Sequence, residues 1–152
     1  MTNYLGLDVG KKRVGVSRGD DELRLALPMD AVPMADRLSC LREIAHTISK
    51  LNVSVVIVGS PLNMDGSKSE MSKYIDNFIL DLEKFVGGDV VFVIVDERLT
   101  SVQAEADLRI ARGTKFESHD HKRKMRQRGV IDSNAATVIL QDHFNELALR
   151  VQ

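Results

Sequence analysis

Tyr4-Leu5-Gly6-Leu7-Asp8-Val9-Gly10-Lys11-Lys12-Arg13-Val14-Gly15-Val16-Ser17 is the stretch that decides the architecture. Tyr4 to Val9 reads as a strand, Gly10-Lys11-Lys12 as a turn, and Arg13 to Ser17 as a second strand. A turn this short makes the two strands antiparallel. Leu23 to Leu27 is expected to add a short third strand, with Pro28 and Pro33 bracketing the loop that follows.

Beyond the hairpin the periodicity changes. Leu38, Leu41, Ile44, Ala45, Ile48 and Leu51 recur at helical spacing over Arg37 to Leu51. Val53 to Val58 is a near-continuous β-branched run, the pattern of a strand covered on both faces. A loop follows, Gly59-Ser60-Pro61-Leu62-Asn63-Met64-Asp65-Gly66-Ser67. Met71, Tyr74, Ile75, Phe78, Ile79, Leu82 and Phe85 then mark a second helix that Gly87-Gly88 should stop. Val90 to Val95 is expected to be another buried strand. Thr100 and Gln103 form a capping box for a helix that Gly113 would end. Ile131 to Leu149 is the last helix. Strands joined first by a hairpin and then by helical crossovers imply an α/β fold. Its sheet is mixed and five-stranded, with strands 1–3 antiparallel, the later strands parallel, and helices on both faces.

At 152 residues the chain is expected to be one domain, spanning 1–152. Hydrophobic residues at 43% and charged residues at 28% are ordinary for a globular protein. The formal net charge is −1, so any attraction for a polyanion must come from local clustering. One such cluster exists. Five of the seven residues Lys122-Arg123-Lys124-Met125-Arg126-Gln127-Arg128 are Lys or Arg, within a polar stretch, 114–129, expected to be mobile. Cys40 stands alone, which excludes an internal disulfide and fits a reducing compartment. Its neighbours Leu38, Leu41 and Ile44 make it a buried filler. No apolar run is long enough for a bilayer, and the first strand begins too early for a signal peptide, so a cytoplasmic protein is expected, with no membrane partner.

Three acidic residues occupy suggestive places. Asp8 alternates with Gly6 and Gly10 along the first strand, where glycines permit close approach. By itself it says little, because an Asp in a Gly-rich turn is common. Asp96 and Glu97 end the run Val90 to Val95, where open α/β sheets place ligands, and strand alternation allows only one of them to face a shared site. Asp132 begins the Ala-rich helical stretch Asp132-Ser133-Asn134-Ala135-Ala136, where the helix dipole alone would also account for a negative charge. As a set, three carboxylates suit Mg²⁺ or Mn²⁺, and a pair of ions completed by substrate phosphates suits phosphodiester hydrolysis. The candidate nucleic-acid contacts are Lys11, Lys12, Arg13, Asn63, Arg98, Lys122, Arg123, Lys124, Arg126 and Arg128. His119 and His121 flank Asp120, but two histidines in a polar loop are usually only solvated.

These motifs together resemble the YqgF (RuvX) family of small bacterial proteins. The likeness rests on Gly6-Leu7-Asp8-Val9-Gly10 with Arg13-Val14-Gly15-Val16, on Gly59 to Ser67, on Asp96-Glu97-Arg98-Leu99-Thr100-Ser101 with Ala104, and on Asp132 to Ala136 with Ile139-Leu140-Gln141. The resemblance implies an RNase H-like fold and makes Asp8, Glu97 and Asp132 the catalytic, metal-binding acids. It implies a nuclease that processes the 5′ end of precursor 16S rRNA in ribosome biogenesis, with precursor rRNA or a ribosomal particle as partner. Some members are regarded instead as Holliday-junction resolvases on four-way DNA. The related RuvC resolvases carry a further carboxylate one helical turn after the last acid, and that position here is Ala135.

Other functions compete. A resolvase would share the chemistry but need a dimer, whereas the 5% aromatic content and lack of Trp favour a monomer over a weak dimer. An actin-like ATPase would need two domains of this kind. A non-catalytic RNA- or ribosome-binding factor would not need all three acids.

Overall fold

A computed structural model describes residues 1–97 and 133–150. Strands β1 (Asn3–Val9), β2 (Arg13–Asp20) and β3 (Leu27–Pro33) are followed by helix α1 (Arg37–Lys50), β4 (Val53–Ser60), α2 (Glu70–Glu83), β5 (Val91–Asp96) and α3 (Asn134–Arg150). The expected Thr100 helix, the 114–129 stretch and Asp132 lie outside the described residues.

The five strands form one sheet in the order β3-β2-β1-β4-β5. β1 runs antiparallel to β2 and parallel to β4, β2 antiparallel to β3, and β4 parallel to β5. This is the mixed sheet that the hairpin and the crossovers demand.

The third strand is not where the sequence suggests. Leu23 to Ala26 lies outside it; β3 begins at Leu27 and runs through Pro28 to Pro33, and those prolines lie inside it rather than bracketing a loop. Among the described residues β3 is an edge strand that pairs only with β2, so a residue without an N–H costs nothing on its outer side. Ala26 is buried beneath α3, and Arg24 has φ 52°, which takes the chain out of extended geometry. β5 differs too. Expected to be buried, it lies outermost in the sheet among the described residues, and Val91 and Ile94 are 55% and 50% exposed.

Two cores flank the sheet. The larger joins Leu5, Leu7, Val9, Val56 and Val58 to α1 and α2. Cys40 is part of it, and burial pushes its thiol up to about 11, as expected for a structural filler. The smaller core joins Tyr4 and Ile57 to Ile139, Leu140 and Phe144 of α3. Helices therefore cover both faces. Asp36 caps α1 by accepting from the Leu38 amide, and Ser69 caps α2 by accepting from the Ser72 amide. α2 ends at Glu83, a turn before the glycines expected to stop it. Among the described residues, no helix is long and apolar enough to cross a membrane.

Candidate active site

The two cores establish which way each acid faces. Leu5, Leu7 and Val9 point toward α1 and α2, and Tyr4 toward α3. Strand alternation therefore puts Asp8 on the α3 face, with Tyr4 and Gly6. On β4, Val56 and Val58 belong to the α1–α2 core and Ile57 to the α3 core, so Gly59 shares the face of Asp8. On β5, Val93 and Val95 pack in the α3 core and Phe92 against the other, which sends Glu97 to the α3 side and Asp96 away from it. β1, β4 and β5 are parallel, so Asp8 and Glu97 stand at the same, carboxyl, end of the sheet.

β4 lies between β1 and β5, and its residue at this level has no side chain. A Cβ at Gly59 would stand 2.5 Å from Glu97 Oε1 and 2.5 Å from Ile139 Cδ1. The Glu97 carboxylate thus lies across the backbone of β4, reaching back toward β1 through the gap the glycine leaves. Its proton affinity reflects this placement. Burial, then the nearby Asp8 charge, then Asp96, push the Glu97 carboxyl from 4.5 up to about 7. Two carboxylates this close, one of them partly buried, hold a proton more tightly than either would alone. Hard oxygen donors of this kind fit a divalent cation. Among the described residues, no three His, Cys, Asp or Glu side chains are grouped to hold a metal, and the third expected acid, Asp132, lies outside them.

α3 is held to this face by two buried hydroxyls. The β2–β3 ladder shifts register between Val14 and Val16. There Ser133 Oγ accepts from the Val16 amide at 3.2 Å and donates to the Met29 carbonyl. Val16 and Met29 are register partners, so the hydroxyl is inserted between two strands that would otherwise bond directly. One turn on, Ser17 Oγ donates to the Ala136 carbonyl at 2.7 Å. The helix comes down close because Gly6 lies beneath it; a Cβ there would be 2.8 Å from the Ala136 oxygen.

Basic residues border Asp8. Asp8, Gly10, Lys11, Lys12 and Arg13 line an open depression of about 270 Å³ at the β1–β2 turn. The Gly10 amide donates to the Arg13 carbonyl at 2.9 Å, which closes this turn tightly. Asn63 sits in the loop after β4, and its side-chain amide donates to Ser67 Oγ at 3.0 Å. The structure therefore brings together Asp8, Glu97, Lys11, Lys12 and Arg13 at one end of the sheet. Arg98, Lys122, Arg123, Lys124, Arg126 and Arg128 lie outside the described residues. Sequence reasoning missed Gly59 and Ser133. Both stand in the quoted motifs, but a glycine at the end of a strand signals close approach only once its neighbour is known, and the inserted hydroxyl depends on a register shift between distant strands.

The sheet order and the crossovers are those of an RNase H-like fold. Thermus thermophilus RuvC in complex with a Holliday junction substrate has a TM-score of 0.55 at 11% identity, covering 97% of this chain and 96% of that one. The fowlpox virus resolvase with its junction DNA has a TM-score of 0.52 at 13% identity, covering 96% and 99%. At such identities the likeness concerns the fold alone. The sequence narrows the class: residues 2–146 match the model of the RuvX family, described as Holliday junction resolvase, and the chain belongs to that family. Relatives include proteins named "Putative pre-16S rRNA nuclease" from Anaeromyxobacter sp. (strain Fw109-5), 39% identical over 91% of this chain and 93% of that one, and from Opitutus terrae, 37% identical over 93% and 90%.

Proposed function

We propose that this chain is a single-domain, metal-dependent endonuclease acting on the 5′ end of precursor 16S rRNA. The observation that carries the reading is the convergence of Asp8 and Glu97 across Gly59. Asp8, Glu97 and Asp132 would hold Mg²⁺ or Mn²⁺, with substrate phosphates completing the shell. Such ions, when bound, supply a Lewis acid and an activated water for phosphodiester hydrolysis. The chain's own residues do the rest. Gly59 leaves room for the Glu97 carboxylate, and α3 keeps bulk water off the inner side of the site. Lys11, Lys12 and Arg13 receive the phosphate backbone beside Asp8, with Asn63 holding the neighbouring loop. Arg98 and the basic run Lys122 to Arg128 extend that interface. A ribosomal-RNA substrate carries a cytoplasmic location with it.

Cleavage of four-way DNA junctions is the second reading, favoured by the likeness to junction-resolving folds. Ala135 weighs against it, because the acidic set has one member fewer than RuvC resolvases, and because paired cuts need a two-fold dimer. The test compares precursor-rRNA leaders with four-way junctions, with Mg²⁺ and with Mn²⁺, for the wild type and Asp8→Asn. The expected result is RNA cleavage by a monomer, little paired junction cleavage, and a loss of at least about 100-fold in Asp8→Asn with the fold intact. Symmetric junction nicking by a stable dimer, without action on RNA, would reverse the choice of substrate. Wild-type rates in Asp8→Asn would remove the catalytic assignment and favour a non-catalytic RNA-binding role.

A further inference from the structure

The loop that leaves β4 at the carboxylate end of the sheet is built to hold one apolar side chain in water. Leu62 and Lys68 form an antiparallel bridge at its base. Above it the Asn63 backbone amide donates to the Ser67 carbonyl at 2.9 Å, and the Gly66 amide donates to the Asn63 carbonyl at 2.9 Å. Asn63-Met64-Asp65-Gly66 is thus a hydrogen-bonded turn. Gly66, with φ +86°, supplies the left-handed residue that completes a three-residue hairpin loop. The polar side chains, though exposed, bond within the loop. Asp65 Oδ1 accepts from the Ser67 amide at 2.9 Å and from Ser67 Oγ at 2.6 Å. Ser69 Oγ ties the base down by donating to the Pro61 carbonyl at 2.7 Å, while Lys68 pairs with Asp76 of α2.

At the tip, Met64 is 99% exposed. Its side chain packs against nothing in the described fold, so it contributes no stability, yet the turn that carries it is closed by hydrogen bonds within the loop. An unbranched, polarizable side chain on a stiff tip suits contact with the flat face of a base. Apolar residues, methionine among them, serve elsewhere as wedges that part stacked base steps. We propose that Met64 is a wedge that inserts beside a nucleobase of the substrate and unstacks it as the strand crosses the carboxylates. The inference rests on the nuclease reading, and its ligand is the base, whereas Lys11 to Arg13 meet the phosphates.

The test has a binding arm and a cleavage arm. Wild type, Met64→Ala and Met64→Leu are mixed with RNA duplexes carrying 2-aminopurine at successive positions, with EDTA present so that nothing is cut. The wild type and Met64→Leu should raise the fluorescence of one position, and Met64→Ala should not. In the cleavage arm, Met64→Ala should cut a fully paired RNA about tenfold more slowly than wild type, yet cut the same RNA with the target base already unpaired at the wild-type rate, since that base no longer has to be unstacked. Equal fluorescence in all three proteins would overturn the wedge, as would slowing of both substrates alike. Because the fluorescence arm needs no catalysis, a wild type that cuts no RNA would sink the nuclease reading while the wedge is still decided.

Discussion

Glu97 is pulled two ways. The proposed role as a cation ligand needs it charged, yet burial and the neighbouring Asp8 favour its neutral form, so its carboxyl sits at about 7 instead of 4.5. The sign of the effect on the metal-free protein follows. The folded state holds this proton more tightly than the unfolded chain, so the stability Glu97 contributes is fully present below 4.5 and is lost as pH rises toward 7. Thermal melts of metal-free protein at about pH 5 and about pH 8 should therefore show wild type losing stability across the interval. Glu97→Gln should lose less, and above neutrality should melt at a higher temperature than wild type. A cation should reverse the order, because it removes the crowding only where Glu97 is present. Asp8→Asn should by itself lower the Glu97 carboxyl, since one of its two neighbouring negative charges is gone.

At the level of elements, α3 and the hairpin form one unit. The Ser133 hydroxyl completes a ladder that the register shift leaves open, and the Ser17 hydroxyl holds the next turn of helix. Ser133→Ala would strand the buried Val16 amide and Met29 carbonyl, and should cost about 1–3 kcal/mol in denaturant melts, with faster hydrogen exchange at Val16. An unchanged stability would show that the two strands can close the ladder directly. This unit also shows what local pattern can and cannot tell. Asp8 and Glu97 are legible because alternation fixes the face of a strand residue and a parallel strand end marks where ligands sit. α1 and α2 are legible because each buries one periodic stripe, and β4 because its unbroken β-branched run is buried on both faces. β3 is misplaced by pattern alone because prolines read as breakers unless the strand is known to lie at an edge. Ser133 has no local signal: its partners are 117 and 104 residues away in sequence.

Across the whole molecule, charge is organised rather than abundant. The net formal charge is −1, but lysines and arginine gather at the turn beside Asp8. Binding to RNA should therefore be salt-dependent despite the acidic balance. Changing Lys11 and Lys12 to Gln should flatten the plot of log K against log salt by about 0.7 for each phosphate of a single strand that is no longer neutralised, and the triple change of Lys122, Lys124 and Arg126 to Gln should do likewise. An unchanged slope would remove the affected group from the interface. The two cores divide the labour: the α3 side bears the acids, and the α1–α2 side serves the fold. Cys40 belongs to the second, and with its thiol at about 11 almost none of it is thiolate at neutral pH. The chain's one cysteine is thus buried and held as the thiol. A cysteine placed on the exposed surface could carry a fluorophore or spin label by itself, with no need to replace a residue of the core first.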